Sequence, residues 1–206
     1  MSKCAIVGAG GHGKVVAELA ELCGYTEIHF FDEKWPETNA LEHWEVVGKL
    51  QSLKENIHGY GNIVVAIGNN ATRHRIQQSL KEAGGVFCKL VHPKAIVSKY
   101  CSIGEGSVVM ANAVINPFAK IGNCCIINTS AVIEHECDID HAVHVCPSSS
   151  LAGNVRVNME SWIGIGSQVK QCINIGENVI VGAGATVVED VPSNTTVIGT
   201  PARPIF

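Results

Sequence analysis

Aromatic residues make up only 5% of this 206-residue chain and charged residues 17%. So few rings argue against a broad globular interior. They suit a narrow one, filled by Val, Ile and Ala. No Lys/Arg run occurs and the formal net charge is −4, which removes the electrostatic basis for binding nucleic acid. No uninterrupted run of about 18 apolar residues exists, so no membrane-spanning helix is expected. The opening Met1-Ser2-Lys3-Cys4-Ala5-Ile6-Val7 meets glycine too early for a signal peptide, and a cytoplasmic location is expected. The nine cysteines contain no C-x-x-C pair, which argues against a zinc ribbon or a disulfide scaffold. Cys101, Cys125 and Cys137 each stand four residues after an aliphatic of the repeat described next. They read as small core fillers in a reducing compartment.

What is present in abundance is order. Seventeen aliphatic residues stand six apart, without interruption, from Val91 to Val187. No helix has that period and a flat strand repeats every two residues, so each hexad is one short strand and a bend. Position one carries the large interior side chain. Position five is Ala, Cys, Ser or Val in every unit except the one with Ile173. Glycine recurs at position two (Gly104, Gly122, Gly164, Gly176, Gly182), which suggests a bend with unusual dihedral angles. Three hexads make one triangular coil of 18 residues, so about five coils stack. No insertion breaks the run, and no long projecting loop is expected. Residues 188–206 read as a proline-containing tail.

Residues 1 to about 85 read differently: strand (Ala5–Val7), turn (Gly8–Gly13), helix (Lys14–Gly24), strand (Ile28–Phe31), strand (Ile63–Ile67), helix (Ala71–Ala83). Val15, Leu19 and Leu22 are expected on the buried face of the first helix. Glu33 to Glu45 is expected to be a loop. This is a small parallel α/β unit, about half of a doubly wound fold.

Two motifs carry chemistry. Gly8-x-Gly10-x-x-Gly13 follows a strand and opens a helix, and Asp32 ends the next strand, which is the dinucleotide fingerprint. Its glycines let backbone approach phosphate oxygens at a helix N-terminus. The unit is too short to grip a nicotinamide, which favours a nucleotide diphosphate with one nucleoside over NAD. His12 would then lie beside the diphosphate. A tight turn without ligand is the plain alternative.

The second motif is Glu134-His135-Glu136, with His144 nine residues on. The flanking carboxylates would orient the His135 ring as a general base needs. Nine residues are half a coil, so the two histidines must lie at different corners or faces. Solvated histidines without duty are the plain alternative. Zinc ligands on stacked coils would recur about every 18 residues. Counting back from His135, His141 and His144 finds no histidine, so no metal is expected.

At this point the chain resembles the bacterial sugar acyltransferases that join a nucleotide-sugar-binding domain to a left-handed β-helix. It is most similar to the UDP-4-amino-sugar N-acetyltransferases of the bacillosamine pathway and to sialic acid O-acetyltransferases. The segments that carry the likeness are Gly8-Ala9-Gly10-Gly11-His12-Gly13-Lys14, Ala66-Ile67-Gly68-Asn69-Asn70, Asn128 to Cys137, and Gly199-Thr200-Pro201-Ala202. The resemblance implies an α/β half-Rossmann domain over residues 1–88 and a left-handed parallel β-helix over 89–206. It implies acetyl-CoA as donor and a homotrimer with active sites between subunits. It makes His135 the base and Glu136 the group that tunes it. It sets His144, Ile165 and Ala183 along the acetyl-CoA groove, and Gly10, Gly11, His12, Asp32, Glu33 and Gly68 around the nucleotide sugar. The stretch from Asp32 to Gly61 is the least similar.

Three functions compete. An N-acetyltransferase would act on the C4 amine of a UDP-4-amino-4,6-dideoxy sugar. An O-acetyltransferase would act on sialic acid or another sugar hydroxyl. A non-catalytic nucleotide-sugar scaffold would use the same trimer. The nucleotide fingerprint favours the first, and the intact Glu134-His135-Glu136 cluster counts against the last. A backbone N–H near Gly153 is the candidate oxyanion donor.

Overall fold

The hexads close on themselves. In the computed structural model of the chain, which describes residues 3–205, strand pairing between Ile96 and Val187 is parallel and joins each residue to the one 18 further on. Val114 pairs with Val132, Lys120 with Asp138, and Ile126 with His144. Two-residue strands alternate around three faces. Face one carries Ile96–Val97, Val114–Ile115, Val132–Ile133, Ser150–Leu151, Gln168–Val169 and Thr186–Val187. Face two runs from Ser102–Ile103 to Asn174–Ile175, and face three includes Val108–Val109, Ile126–Ile127, His144–Val145, Trp162–Ile163 and Ile180–Val181. The result is a left-handed parallel β-helix of triangular section with no long loop interrupting it.

Position one fills the prism. Ile127, Ile133, Val145, Leu151, Val157 and Ile163 are all fully buried, each contributing about 1.5–3 kcal/mol of hydrophobic stabilisation. Position five does more than fill a corner. Ser107 Oγ donates to Gly122 O (2.8 Å), Cys125 Sγ to Asp140 O (3.0 Å), Cys137 Sγ to Ala152 O (3.2 Å), Ser149 Oγ to Gly164 O (2.7 Å) and Ser161 Oγ to Gly176 O (2.7 Å). Each bond spans to a position-two carbonyl of the next coil, and Gly164 O accepts from Ser167 N (3.1 Å) as well. This is why Ser and Cys share the position with Ala. Cys101 is only partly buried, against full burial for Cys125 and Cys137.

The expected role of the position-two glycines is corrected. The left-handed residues sit at position four, among them Asn112, Phe118, Glu136 and Asn154 (φ 57° to 66°). Position two is instead crowded. A Cβ on Gly104 would lie 2.5 Å from the Gly122 backbone, and one on Gly164 2.4 Å from Val181 O. Glycine is there for close approach between coils. The expected tail is corrected too. Thr196–Ile198 joins face three in parallel, and Arg203–Ile205 pairs antiparallel with it. Met1, Ser2 and Phe206 lie outside the described residues.

Residues 1–90 form the other unit. Its strands are β1 (Lys3–Val7), β2 (Glu27–Phe31), β3 (Ala40–Leu41), β4 (Trp44–Gly48) and β5 (Ile63–Val65), in spatial order β3-β4-β2-β1-β5. All neighbours are parallel except β3 and β4. The helices are α1 (Gly11–Leu22), α2 (Leu50–Glu55) and α3 (Asn70–Glu82). The expected loop from Glu33 to Glu45 thus holds an antiparallel hairpin, whose second strand extends the sheet. On α1 the buried residues are Gly13, Val16, Ala17, Leu19 and Ala20, while Val15 and Leu22 are about half exposed. The stripe of small residues lets the helix approach the sheet closely, and that closeness decided the face over hydrophobic size. Asn69 caps α3 by accepting from Thr72 N at 2.9 Å. Among the described residues no helix is long and apolar enough to cross a membrane.

Candidate active site

The hexad Ile133–Asp138 sets the chemistry at one corner of the prism, between faces one and two. His135 stands at position three and Glu136 at position four, where its φ is 61°. That left-handed turn brings the carboxylate back to the neighbouring ring. His135 Nδ1 and Glu136 Oε2 are 3.1 Å apart, and the side chains are 59% and 63% exposed. An ionised Glu136 accepts from Nδ1–H, which leaves the Nε2 lone pair free to take a proton.

The seat for that ring comes from the next coil. A Cβ on Gly153 would fall 2.6 Å from both Cε1 and Nε2 of His135. The imidazole therefore lies across bare backbone. Asn154 N–H donates to His135 O at 2.9 Å, locking the two turns together. Among the described residues no acceptor takes the Gly153 N–H. Glu134 points elsewhere and lines a groove of about 370 Å³ on face one, with Ser150 and Gln168.

The other expected residues fall into separate groups. Ile165 and Ala183 are both exposed and sit one coil apart at the corner between faces three and one, joined by Gly184 N–H to Ile165 O (2.8 Å). They form a ledge, and face one separates it from the His135 corner. His144 is not a solvated loop residue. It lies on a face-three strand, 6% exposed, its Nε2 accepting from Asn128 Nδ2 at 3.0 Å and its ring edge-on to Trp162 at 4.3 Å. The geometry thus pairs His135 with Glu136 and Ile165 with Ala183, and leaves the two pairs on different corners.

In the α/β unit the fingerprint glycines divide their work. Gly8 is left-handed (φ 107°) and abuts Ala66 O. A Cβ on Gly13 would lie 2.3 Å from Gly8 O, so Gly13 serves helix–strand packing. Gly10, Gly11 and Gly68 face open space, with nothing within 4 Å of a Cβ. At these three positions the backbone is open to close approach. Asp32 accepts from Ala9 N (2.8 Å) and Lys34 N (3.0 Å), so it braces the glycine turn. With Glu33, Gly8, Leu50 and Ile67 it lines a cleft of about 160 Å³. His12 is partly buried, and its buried Nε2 lacks a partner. Burial, and then the charge of Arg73, push its pKa down to about 4. Arg73 itself is 1% exposed and donates to Ile67 O (2.9 Å), Gly68 O (3.2 Å) and Asn70 Oδ1 (2.7 Å).

Known proteins share this arrangement. The sequence pattern of the PglD N-terminal domain matches residues 3–80, and that of the bacterial transferase hexapeptide matches residues 100–135. The acetyltransferase domain of PglB from Neisseria gonorrhoeae FA1090, solved with acetyl coenzyme A, is 41% identical with a TM-score of 0.95, over 98% of each chain. The chain belongs to the PglD-type hexapeptide acyltransferases. Perosamine N-acetyltransferase from Caulobacter crescentus, a histidine-substituted variant in complex with CoA and GDP-perosamine, is 37% identical (TM-score 0.94, 100% of this chain and 98% of that one). UDP-N-acetylbacillosamine N-acetyltransferase of Bacillus subtilis is 39% identical over 117 residues, 54% of this chain and 52% of that protein. The match therefore spans about half the length of the Bacillus relative and nearly all of the two solved chains.

In this PglD-type acyltransferase, three things escaped the sequence reading: the seat that Gly153 gives the His135 ring, where only an oxyanion donor was expected, the buried Arg73, and the bond from Asn128 to His144. Gly153 carried a usable signal, since it stands 18 residues after His135 and so directly above it in the stack. Arg73 and Asn128 gave none, because their partners are backbone carbonyls and a histidine that only the fold brings near.

Proposed function

We propose that this chain transfers acetyl from acetyl-CoA to the C4 amine of a UDP-4-amino-4,6-dideoxy sugar, with His135 as general base. The observation that carries the reading is the His135–Glu136 pair at 3.1 Å with Nε2 free of the carboxylate. The amine must lose a proton as it attacks the thioester carbon, and His135 Nε2 takes it. The Gly153 N–H stabilises the oxyanion of the tetrahedral intermediate. The amide forms as the C–S bond breaks, and CoA leaves as the thiol. No acyl-enzyme is needed. Burial pushes the Cys137 thiol up to about 11 and the Cys146 thiol up to about 12, so neither is a thiolate nucleophile at neutral pH. Gly10, Gly11 and Gly68 admit the diphosphate, and the Asp32–Glu33 cleft takes the nucleoside.

The active form in this reading is a cytoplasmic homotrimer. One chain leaves the His135 corner and the Ile165–Ala183 ledge apart. A three-fold assembly seats the corner of one protomer against the ledge and His144 face of the next, and acetyl-CoA lies in that seam. The test is thiol release from acetyl-CoA with UDP-, GDP- and dTDP-amino sugars and sialic acid. His135→Ala should lower kcat by about 10²–10⁴ while the trimer persists by light scattering. Unchanged turnover in that variant ends the proposal.

A further inference from the structure

Three of the most exposed large apolar side chains of the β-helix are Ile96, Tyr100 and Phe118. Tyr100 and Phe118 stand at position four of successive coils, on the same corner as Glu136. Their rings stack at 5.7 Å with an interplanar angle of 26°, although both are about 60% exposed. Phe118 holds φ at 66°, a conformation easy for Gly or Asn and uncomfortable for a bulky ring. The turn that bears it is tied to the catalytic turn, Glu136 N–H donating to Pro117 O at 3.2 Å. Lys99 holds its Nζ 4.9 Å over the Tyr100 ring, at position three, two coils before His135.

We propose that the Tyr100–Phe118 stack is the platform on which the acceptor sugar lies, its apolar ring face on Phe118. This rests on the functional reading above and deepens it. Order along the stack decides the occupant. Ile165 and Ala183 belong to coils after His135, so the thioester approaches from that side. The aromatic pair lies on the other side, one and two coils before the base. An exposed apolar patch beside a reactive group marks a binding surface, and rings with a polar edge suit a ligand that is apolar on one face only. Coils stack at about 4.8 Å, so the Lys99 and His135 turns are roughly 10 Å apart. One hexose fits in that span, with its amine at His135 and its hydroxyls toward Lys99.

Phe118→Asn is the informative variant, because Asn accepts the left-handed turn and removes only the ring. Expected is a tenfold or greater rise in KM for the nucleotide amino sugar. KM for acetyl-CoA should change less than twofold, the trimer should persist by light scattering, and Phe118→Tyr should restore the acceptor KM. An unchanged acceptor KM overturns the platform. So does a rise in the acetyl-CoA KM instead, which would make it an adenine contact. Dissociation of the trimer would make it a subunit seam and equally overturns the proposal. Wild-type protein that acetylates no nucleotide amino sugar overturns the functional reading, and the platform with it.

Discussion

Adding one methyl group at Gly153 should silence the enzyme without unfolding it. Gly153 does not occupy the left-handed region, so alanine suits its backbone. The new Cβ would lie 2.6 Å from His135 Cε1 and Nε2, and ordinary contact begins near 3.4 Å. The ring must therefore retreat by about 0.8 Å, or swing away from Glu136. Because His135 is 59% exposed, it can do so into solvent, and the loss of stability should stay under about 1 kcal/mol. A displacement near 1 Å at a reacting centre costs about 10²-fold in rate, or about 2.7 kcal/mol of barrier. Steady-state kinetics of Gly153→Ala should show that fall in kcat with both KM values near wild type. The decisive control is the double variant. If Gly153 acts through His135, adding Gly153→Ala to His135→Ala costs nothing further in residual turnover. A single variant with half the wild-type kcat, or a double variant another hundredfold slower than His135→Ala, refutes the reasoning.

Two further outcomes concern stability. His12 has a folded pKa of about 4 against an ordinary value of 6.5, so the unfolded chain binds more protons between those pH values. Stability contributed by neutral His12 is therefore full above pH 6.5 and falls as pH drops toward 4, by about 3 kcal/mol at most. Denaturant titrations across that window should show the slope flattened in His12→Asn, and an equal slope in both proteins contradicts the assignment. Ser161→Ala removes a hydroxyl that donates to Gly176 O and accepts from Val179 N (3.0 Å). Leaving both groups buried and unpaired should cost about 1–3 kcal/mol, read as a lower denaturation midpoint with the m-value unchanged.

The sequence made the prism legible because its interior admits only one pattern. A narrow triangular section enforces the hexad at every turn, and Val91 to Val187 never leave it. His135 stood out as a candidate for the same reason, since a charged triplet in a strict hexad has no packing role. What stayed hidden depends on neighbours 15 to 18 residues away. The position-two glycines looked like dihedral requirements until the next coil was seen pressing on them. The hairpin at Ala40–Gly48 was hidden because its second strand is defined by pairing with β2, and nothing local announces that. Val15 misled on α1 because size suggested burial, whereas closeness to the sheet favours Gly13, Ala17 and Ala20.

The constant 18-residue pitch restricts how this protein can change in length. A single inserted or deleted residue between Val91 and Val187 would turn every later side chain toward the wrong neighbour and detach each hydroxyl and thiol strut from its carbonyl. Only a whole storey can be gained or lost cleanly. Such a change between residues 135 and 165 would carry the Ile165–Ala183 ledge about 4.8 Å along the axis from His135. The axial distance between the His135 corner and that ledge is thus quantised, and a mechanism that uses both requires their storeys to be inherited as one block.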